Sequence, residues 1–290
     1  MNILVTGAGG QLGQELQEAV RTRSSQHTYH FADRASLDLT DASALEAYLE
    51  AHAIQLIINA AAYTAVDRAE DEPEKADLIN HQAVATLARL AKRRDAFLLH
   101  VSTDYVFSGD VHTPYTEEAP TAPLGVYGRS KRLGEEAILA SGVRHLILRT
   151  SWLYSAYGAN FVKTMCRLQS ERQELRVVFD QVGSPTWAGD LARFIYEFAE
   201  RGALQKQGIY HYSNEGVCSW YDLAEAVRQL MGSTCKILPI RSAEYPTRAQ
   251  RPAYSVLDKS RLKATFALEL PHWQASLARC IAQLQSSPQK

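Results

Sequence analysis

The sequence predicts an α/β protein: a Rossmann-type doubly wound parallel sheet joined to a smaller, loop-rich α/β region that binds substrate. Three observations predict it. Short apolar runs alternate with amphipathic stretches through the first half of the chain. A glycine-rich turn separates the first apolar run from the first helical stretch. After roughly Arg149 the pattern loses its regularity and is broken by Gly183-Ser184-Pro185, Gly208, Gly216 and Pro246. Alternating β and α units favour a parallel sheet covered on both faces and connected by right-handed crossovers.

In chain order, Ile3-Leu4-Val5 is the first strand and Gln11–Arg21 the first helix. His30-Phe31-Ala32 is a second strand and Ala42–His52 a helix. Leu56-Ile57-Ile58 reads as a buried strand, and Pro73–Arg94 as one long helix with proline in its first turn. Phe97–Val101, the helix Val126–Ala140 and the strand His145–Leu148 complete the regular part. The polar tail Ser286–Lys290 is expected to fray. Residues 1–155 are expected to form one Rossmann-type domain and 156–290 mainly a second region, with segments near 187–200 and 250–258 returning to the first domain.

Composition excludes several classes. Thirty-one Lys and Arg against 32 Asp and Glu give a formal net charge of −1, without the basic excess a dedicated nucleic-acid binder needs. The uncharged run Ala53–Val66 contains Gln55 and Asn59 and is too short to span a bilayer. No targeting leader is expected, because Met1-Asn2 runs directly into a short strand and glycines. Cys166, Cys218, Cys235 and Cys280 lie far apart and form no C-x-x-C pair, so they read as separate thiols in a reducing compartment. The expected setting is the cytoplasm.

Gly7-Ala8-Gly9-Gly10-Gln11-Leu12-Gly13 places glycines at 7, 10 and 13 between a strand and a helix. That geometry brings backbone N–H groups at a helix N-terminus close to a pyrophosphate. The adenosine ribose is then met about 20 residues later, where Asp33 and Arg34 stand side by side. An acid there favours a free 2′-hydroxyl and an arginine a 2′-phosphate, so NADPH and NADH both remain open; a plain solvated turn is the competing reading. Asp38 is a candidate acceptor for the adenine amino group beside Leu39, whereas Thr40 or Asp41 suits a helix N-cap.

Tyr127 and Lys131 lie four apart, on one face of a predicted helix. A phenol is a poor acid–base group near neutrality unless a neighbouring ammonium stabilises the phenolate. The strand before this helix ends in Ser102-Thr103, a hydroxyl pair suited either to a substrate carbonyl or to capping a turn. Glycine loop, hydroxyl and Tyr/Lys pair, in that order, make a reductase constellation.

The chain resembles the extended short-chain dehydrogenase/reductases and, within them, the dTDP-4-dehydrorhamnose reductase family. The resemblance rests on the glycine loop, Asn59-Ala60-Ala61-Ala62-Tyr63-Thr64-Ala65-Val66-Asp67, Ser102-Thr103-Asp104-Tyr105-Val106-Phe107 and Val126-Tyr127-Gly128 through Lys131. It continues with Arg149-Thr150-Ser151-Trp152, Asp180-Gln181-Val182-Gly183-Ser184-Pro185-Thr186 and Arg251-Pro252. It implies reduction of the C4 ketone of dTDP-4-dehydro-L-rhamnose by NADPH or NADH. Tyr127 is then the proton donor, Lys131 lowers its pKa and holds the nicotinamide ribose, and Thr103 polarises the carbonyl. Asp104 meets the sugar; Ala60, Ala61 and Ala62 line the cofactor, and Thr64 lies near its nicotinamide end.

The same resemblance puts Asn80 beneath the active site, with a helix-surface amide as its rival reading. Trp152 becomes a wall of the pocket, shared by cofactor and sugar, against a core role. Asn160 and Arg251 are candidates for the diphosphate and sugar, and a surface ion pair is the rival for Arg251. Some members dimerise through a glutamate-bound metal. Glu15 matches the first position, but Gly189 stands at the second, with Asp190 one residue on. Metal-linked dimerisation is therefore not expected, nor is a catalytic metal; the chain is expected to be a monomer or homodimer. Two rival functions remain: a reductase or epimerase of another nucleotide-activated 4-keto sugar, and a non-catalytic nucleotide-binding regulatory subunit.

Overall fold

The computed structural model describes residues 1–286; the expectation for the tail falls almost wholly on 287–290, outside the described residues. Six parallel strands form the central sheet, in the spatial order Gly208–Tyr212, His145–Thr150, Phe97–Thr103, Leu56–Asn59, Asn2–Thr6, Thr28–Ala32. The chain leaves the first strand toward one edge and returns to build the other half. The direction of growth therefore reverses between Asn2–Thr6 and Leu56–Asn59, and that switch point is where ligands of doubly wound sheets bind.

The apolar runs are continuous because both faces are covered. Ile3, Val5, Leu56, Ile58, Phe97 and Leu99 pack on one side against Leu12 and Leu16 of helix Gln11–Thr22 and Leu191 and Ile195 of helix Ala188–Glu200. Leu4, Ile57, Leu98 and Ile147 point the other way, onto Leu45, Leu49, Leu87 and Ile138. Successive strand residues alternate between the faces, so neither half of the pattern is free to be polar.

A third core lies beyond the sheet. Strands Glu174–Val178 and Lys236–Ile240 pair in parallel. Around them Val162, Leu223, Val227, Leu277 and Ile281 close a separate apolar cluster, contributed by helices Phe161–Glu171, Trp220–Met231 and Trp273–Ser286. All four cysteines are unpaired. No helix among the described residues is long and apolar enough to cross a membrane.

One expected element differs. The helix from Pro73 is not uniform: α-helix Pro73–Asp77 passes through a π-turn, Leu78–Gln82, before α-helix Ala83–Arg93 resumes. The π-turn carries Asn80. Its carbonyl oxygen packs so closely on helix Val126–Ser141 that a Cβ at Gly134 would stand 2.3 Å from it.

Candidate active site

The first strand ends at Thr6 and the chain turns through Gly7, whose φ of +74° is open to glycine at little cost. A Cβ there would also lie 2.7 Å from the Ala61 amide. Helix Gln11–Thr22 has no side-chain cap at Gly10, and its first backbone bond runs from the Gln14 N–H to the Gly10 carbonyl. Gly10, Gln11 and Leu12 line a cavity of about 390 Å³ at this uncapped N-terminus. A pyrophosphate suits such a turn, so the residues present fit a dinucleotide.

The chemistry-bearing side chains open into the same cavity. Thr103, Asp104, Tyr127, Lys131 and Trp152 line it, with Ala60, Ala62, Thr64 and Asn160. The parallel strand Phe97–Thr103 delivers Thr103 at its carboxyl end, and helix Val126–Ser141 places Tyr127 and Lys131 one turn apart. Thr103 caps the turn that follows the strand. It lines the cavity, and its hydroxyl also accepts the Tyr105 N–H at 3.2 Å while donating to Asp104 at 3.1 Å. Ser102 also borders the cavity, with its hydroxyl committed to Glu135 at 2.6 Å.

Burial pushes the Tyr127 phenol up, and contact with the Thr103 hydroxyl works in the opposite direction. Among the described residues no hydrogen bond joins the phenol to Lys131. The lysine Nζ instead donates to the Val101 carbonyl at 2.7 Å and lies 3.1 Å from His100 Nε2. Burial brings Lys131 down to about 8, with Glu135 pulling the other way. Asp104 is pushed up to about 6 by burial, against hydrogen bonds from Ser255 and Thr103. Glu135 is fully enclosed and takes a bidentate pair from Arg149, at 2.9 and 2.7 Å.

Asn80 is buried rather than on the helix surface, which removes its rival reading. Its side chain accepts the Tyr63 N–H at 2.8 Å and donates to the Tyr63 carbonyl and Ser130 hydroxyl, both at 3.0 Å. Ser130 in turn donates to the Tyr127 carbonyl at 2.9 Å. Asn80 thus braces the Tyr127 helix from below.

Asp33, Arg34, Asp38 and Leu39, expected at the adenosine end, do not line this cavity. The exposed Asp33 carboxylate accepts the Ser36 N–H and hydroxyl, both at 2.9 Å, and these bonds hold it below the usual carboxylate range. Arg34 is exposed and 3.7 Å from Asp38. Asp38 is occupied by the Thr40 N–H at 2.9 Å and hydroxyl at 2.7 Å, and Leu39 packs on the second sheet face. The N-cap of helix Ala42–Ala51 is Asp41, not Thr40. Ala61 is held by its N–H to the Asn59 side chain at 3.2 Å.

Asn160 caps helix Phe161–Glu171 and donates to Gln11 at 3.0 Å, tying the glycine loop to the third core. Arg251 forms the ion pair its rival reading described, 2.7 Å from Asp67, and donates to the Tyr105 hydroxyl at 3.1 Å. It lines not the central cavity but a second one of about 740 Å³, which shares Phe161 and Trp220 with the first. Glu15 is buried and accepts from Ser155 at 2.6 Å. Asp190 is also turned inward, taking bonds from Asn214, Ser276 and Arg279. Among the described residues no cluster of three or more His, Cys, Asp or Glu has the arrangement of a metal site.

Three contributors escaped the sequence reading. Trp220 stacks on Trp152, Tyr105 meets the Tyr127 ring edge-on at 5.5 Å, and His100 lies under Lys131. The only signal for Trp220 was its place after Ser219, which begins a capping box.

The chain matches the RmlD substrate binding domain family over residues 1–286. A dTDP-4-dehydrorhamnose reductase of Aggregatibacter actinomycetemcomitans is 42% identical over 284 residues, covering 95% of this chain and 96% of that protein. The crystal structure of a dTDP-4-dehydrorhamnose reductase from Clostridium acetobutylicum superimposes with a TM-score of 0.93 at 38% identity, covering 98% of this chain and 100% of the other. A Bacillus anthracis dTDP-4-dehydrorhamnose reductase in complex with NADP gives 0.92 at 37% identity, covering 97% and 99%.

Proposed function

The chain belongs to the RmlD substrate-binding-domain family, and from that premise we propose that it reduces the C4 ketone of dTDP-4-dehydro-L-rhamnose to dTDP-L-rhamnose with NADPH or NADH. The observation that carries this reading is the convergence of Thr103, Tyr127 and Lys131 on one cavity with the uncapped glycine loop. A bound reduced nicotinamide supplies the hydride. The rest is done by the chain.

Gly10, Gln11 and Leu12 hold the pyrophosphate, Ala60, Ala61 and Ala62 allow close passage, and Thr64 borders the nicotinamide end. Asp33, Arg34, Asp38 and Leu39 surround the adenosine. The Thr103 hydroxyl orients the sugar carbonyl, Tyr127 gives its phenolic proton to the forming alkoxide, and Lys131 holds the ribose and offsets the charge left on Tyr127. Asp104 and Trp152 contact the sugar. The second cavity, with Arg251 on its wall, takes the nucleotide end, where a planar guanidinium suits a diphosphate.

We assign cofactor binding mainly to residues 1–155 and sugar-nucleotide binding mainly to 156–290, with segments near 187–200 and 250–258 returning to the first domain. The protein acts in the cytoplasm as a monomer or homodimer, on a small-molecule substrate, without nucleic acid or membrane. The test is oxidation of NADPH and NADH with freshly generated dTDP-4-dehydro-L-rhamnose, with the product identified by NMR. Formation of dTDP-L-rhamnose supports the reading, and the two rates fix the cofactor. Turnover only with a different nucleotide-activated 4-keto sugar would reject the substrate; binding of nucleotide with no turnover at all would reject the enzyme.

A further inference from the structure

A buried polar chain runs under the cavity, through four side chains that are each no more than 1% exposed. Thr6 donates to Asn59 Oδ1 at 2.7 Å, Asn59 Nδ2 lies 3.0 Å from His100 Nδ1, and His100 Nε2 lies 3.1 Å from Lys131 Nζ. The direction of this chain is determined by one backbone group. The Ala61 N–H points at Asn59 Oδ1 from 3.2 Å, and an N–H can only donate. Asn59 must therefore present its oxygen to Ala61 and its NH₂ to His100. Nδ1 of His100 is then an acceptor, so in the neutral ring the proton sits on Nε2, facing Lys131.

We propose that His100 is a positioning residue for the reductase reaction: its Nε2–H, fixed by Asn59, donates to the Lys131 amine and biases that amine against holding its third proton. This rests on the reading of Lys131 as the catalytic lysine, but the hydrogen-bond direction does not. An ammonium facing an N–H meets two donors with no acceptor between them, whereas a neutral amine accepts from His100 and still donates to the Val101 carbonyl.

The surroundings agree. Burial and Lys131 together hold the His100 ring well below the usual histidine range, and burial alone brings Lys131 down to about 8. The other titratable groups on the packed elements are accounted for. Glu135, one turn on, is paired with Arg149 from the next strand. Asp77 and His81, from the Asn80 segment, bond each other. Asp104 and Tyr105 follow the His100 strand, and Tyr127 lies one turn before Lys131 on its own helix. No carboxylate other than Glu135 acts on the lysine. The consequence is a ceiling on activity: the cationic form that offsets a Tyr127 phenolate is lost as pH rises past about 8.

The direct test is ¹⁵N NMR of histidine-labelled wild-type protein, with the His100 resonances identified as those absent from His100→Gln. The proposal expects Nδ1 in the unprotonated range and Nε2 in the protonated range, unchanged as pH is lowered until the protein unfolds. A proton on Nδ1, or titration near the ordinary histidine value, would overturn it. The second test is the pH profile of kcat in Asn59→Asp. A carboxylate accepts from Nδ1, moves the ring proton there and turns Nε2 into an acceptor for Lys131. The alkaline limb should then rise by about one pH unit. An alkaline limb that stays in place in a folded, active variant would reject the coupling. If wild type fails to reduce the keto sugar, the substrate reading falls, and the NMR result still decides the tautomer.

Discussion

Trp152 and Trp220 stack with ring centroids 3.6 Å apart and planes 7° from parallel. They come from opposite sides of the site: Trp152 follows the sheet strand His145–Thr150, and Trp220 opens a helix of the third core. Trp152 takes φ of +48° to reach this position, an unfavourable conformation for a bulky residue. Both rings border the central cavity, and Trp220 also borders the second one. Trp220→Ala should therefore raise KM for the sugar nucleotide about tenfold, because an aromatic pair is worth roughly 0.5–1.5 kcal/mol beyond its buried area. The Kd for NADPH should barely change. An unaltered KM would show that the stack does not touch substrate.

Tyr127→Phe removes one hydroxyl from an otherwise unchanged ring. Turnover should fall by about 10²–10⁴-fold, the usual range for a positioned acid, while NADPH still binds. Fluorescence titration of the cofactor and single-turnover kinetics separate the two effects. Turnover within a few-fold of wild type would take Tyr127 out of the proton transfer.

The Glu135–Arg149 pair is enclosed on every side, with side chains 0% and 3% exposed. Arg149→Met leaves a buried carboxylate without its partner and should cost ~3–5 kcal/mol in urea unfolding. Adding Glu135→Leu should recover most of that loss, since the paired charges are costly to bury. If the double variant is as unstable as the single one, shape rather than charge governs this site.

Asp104 gives stability a pH dependence of known sign. Its native pKa of about 6 lies above the ordinary 3.8, so the folded protein holds this proton more tightly than the unfolded chain. Its contribution is present below 3.8 and is lost as pH rises through 6. Asp104→Asn should match wild type near pH 4 and gain roughly 2–3 kcal/mol on it by pH 8. A constant difference across that range would show that Asp104 is not strained by burial.

The strands were legible because parallel strands buried on both faces must be apolar throughout, as in Leu56-Ile57-Ile58. The glycine loop and the Tyr127/Lys131 spacing were legible because their geometry is local. The π-turn at Asn80 was not: it depends on Gly134, in a distant helix, letting the Asn80 carbonyl approach. Strand Gly208–Tyr212 was missed because His211, enclosed next to Tyr115 and Glu117, breaks the apolar run. His100 was hidden for the opposite reason, as one polar residue in an apolar strand whose partners, Asn59 and Lys131, are supplied by other elements.

The most direct measurement of the central claim follows the hydrogen itself. NADPH deuterated at its transferable position is incubated with the wild-type protein and dTDP-4-dehydro-L-rhamnose, and the product is read by NMR. The product should be dTDP-L-rhamnose carrying deuterium at C4 alone. Deuterium at another carbon, a C4 epimer as the product, or no transfer from a cofactor shown to bind would contradict it.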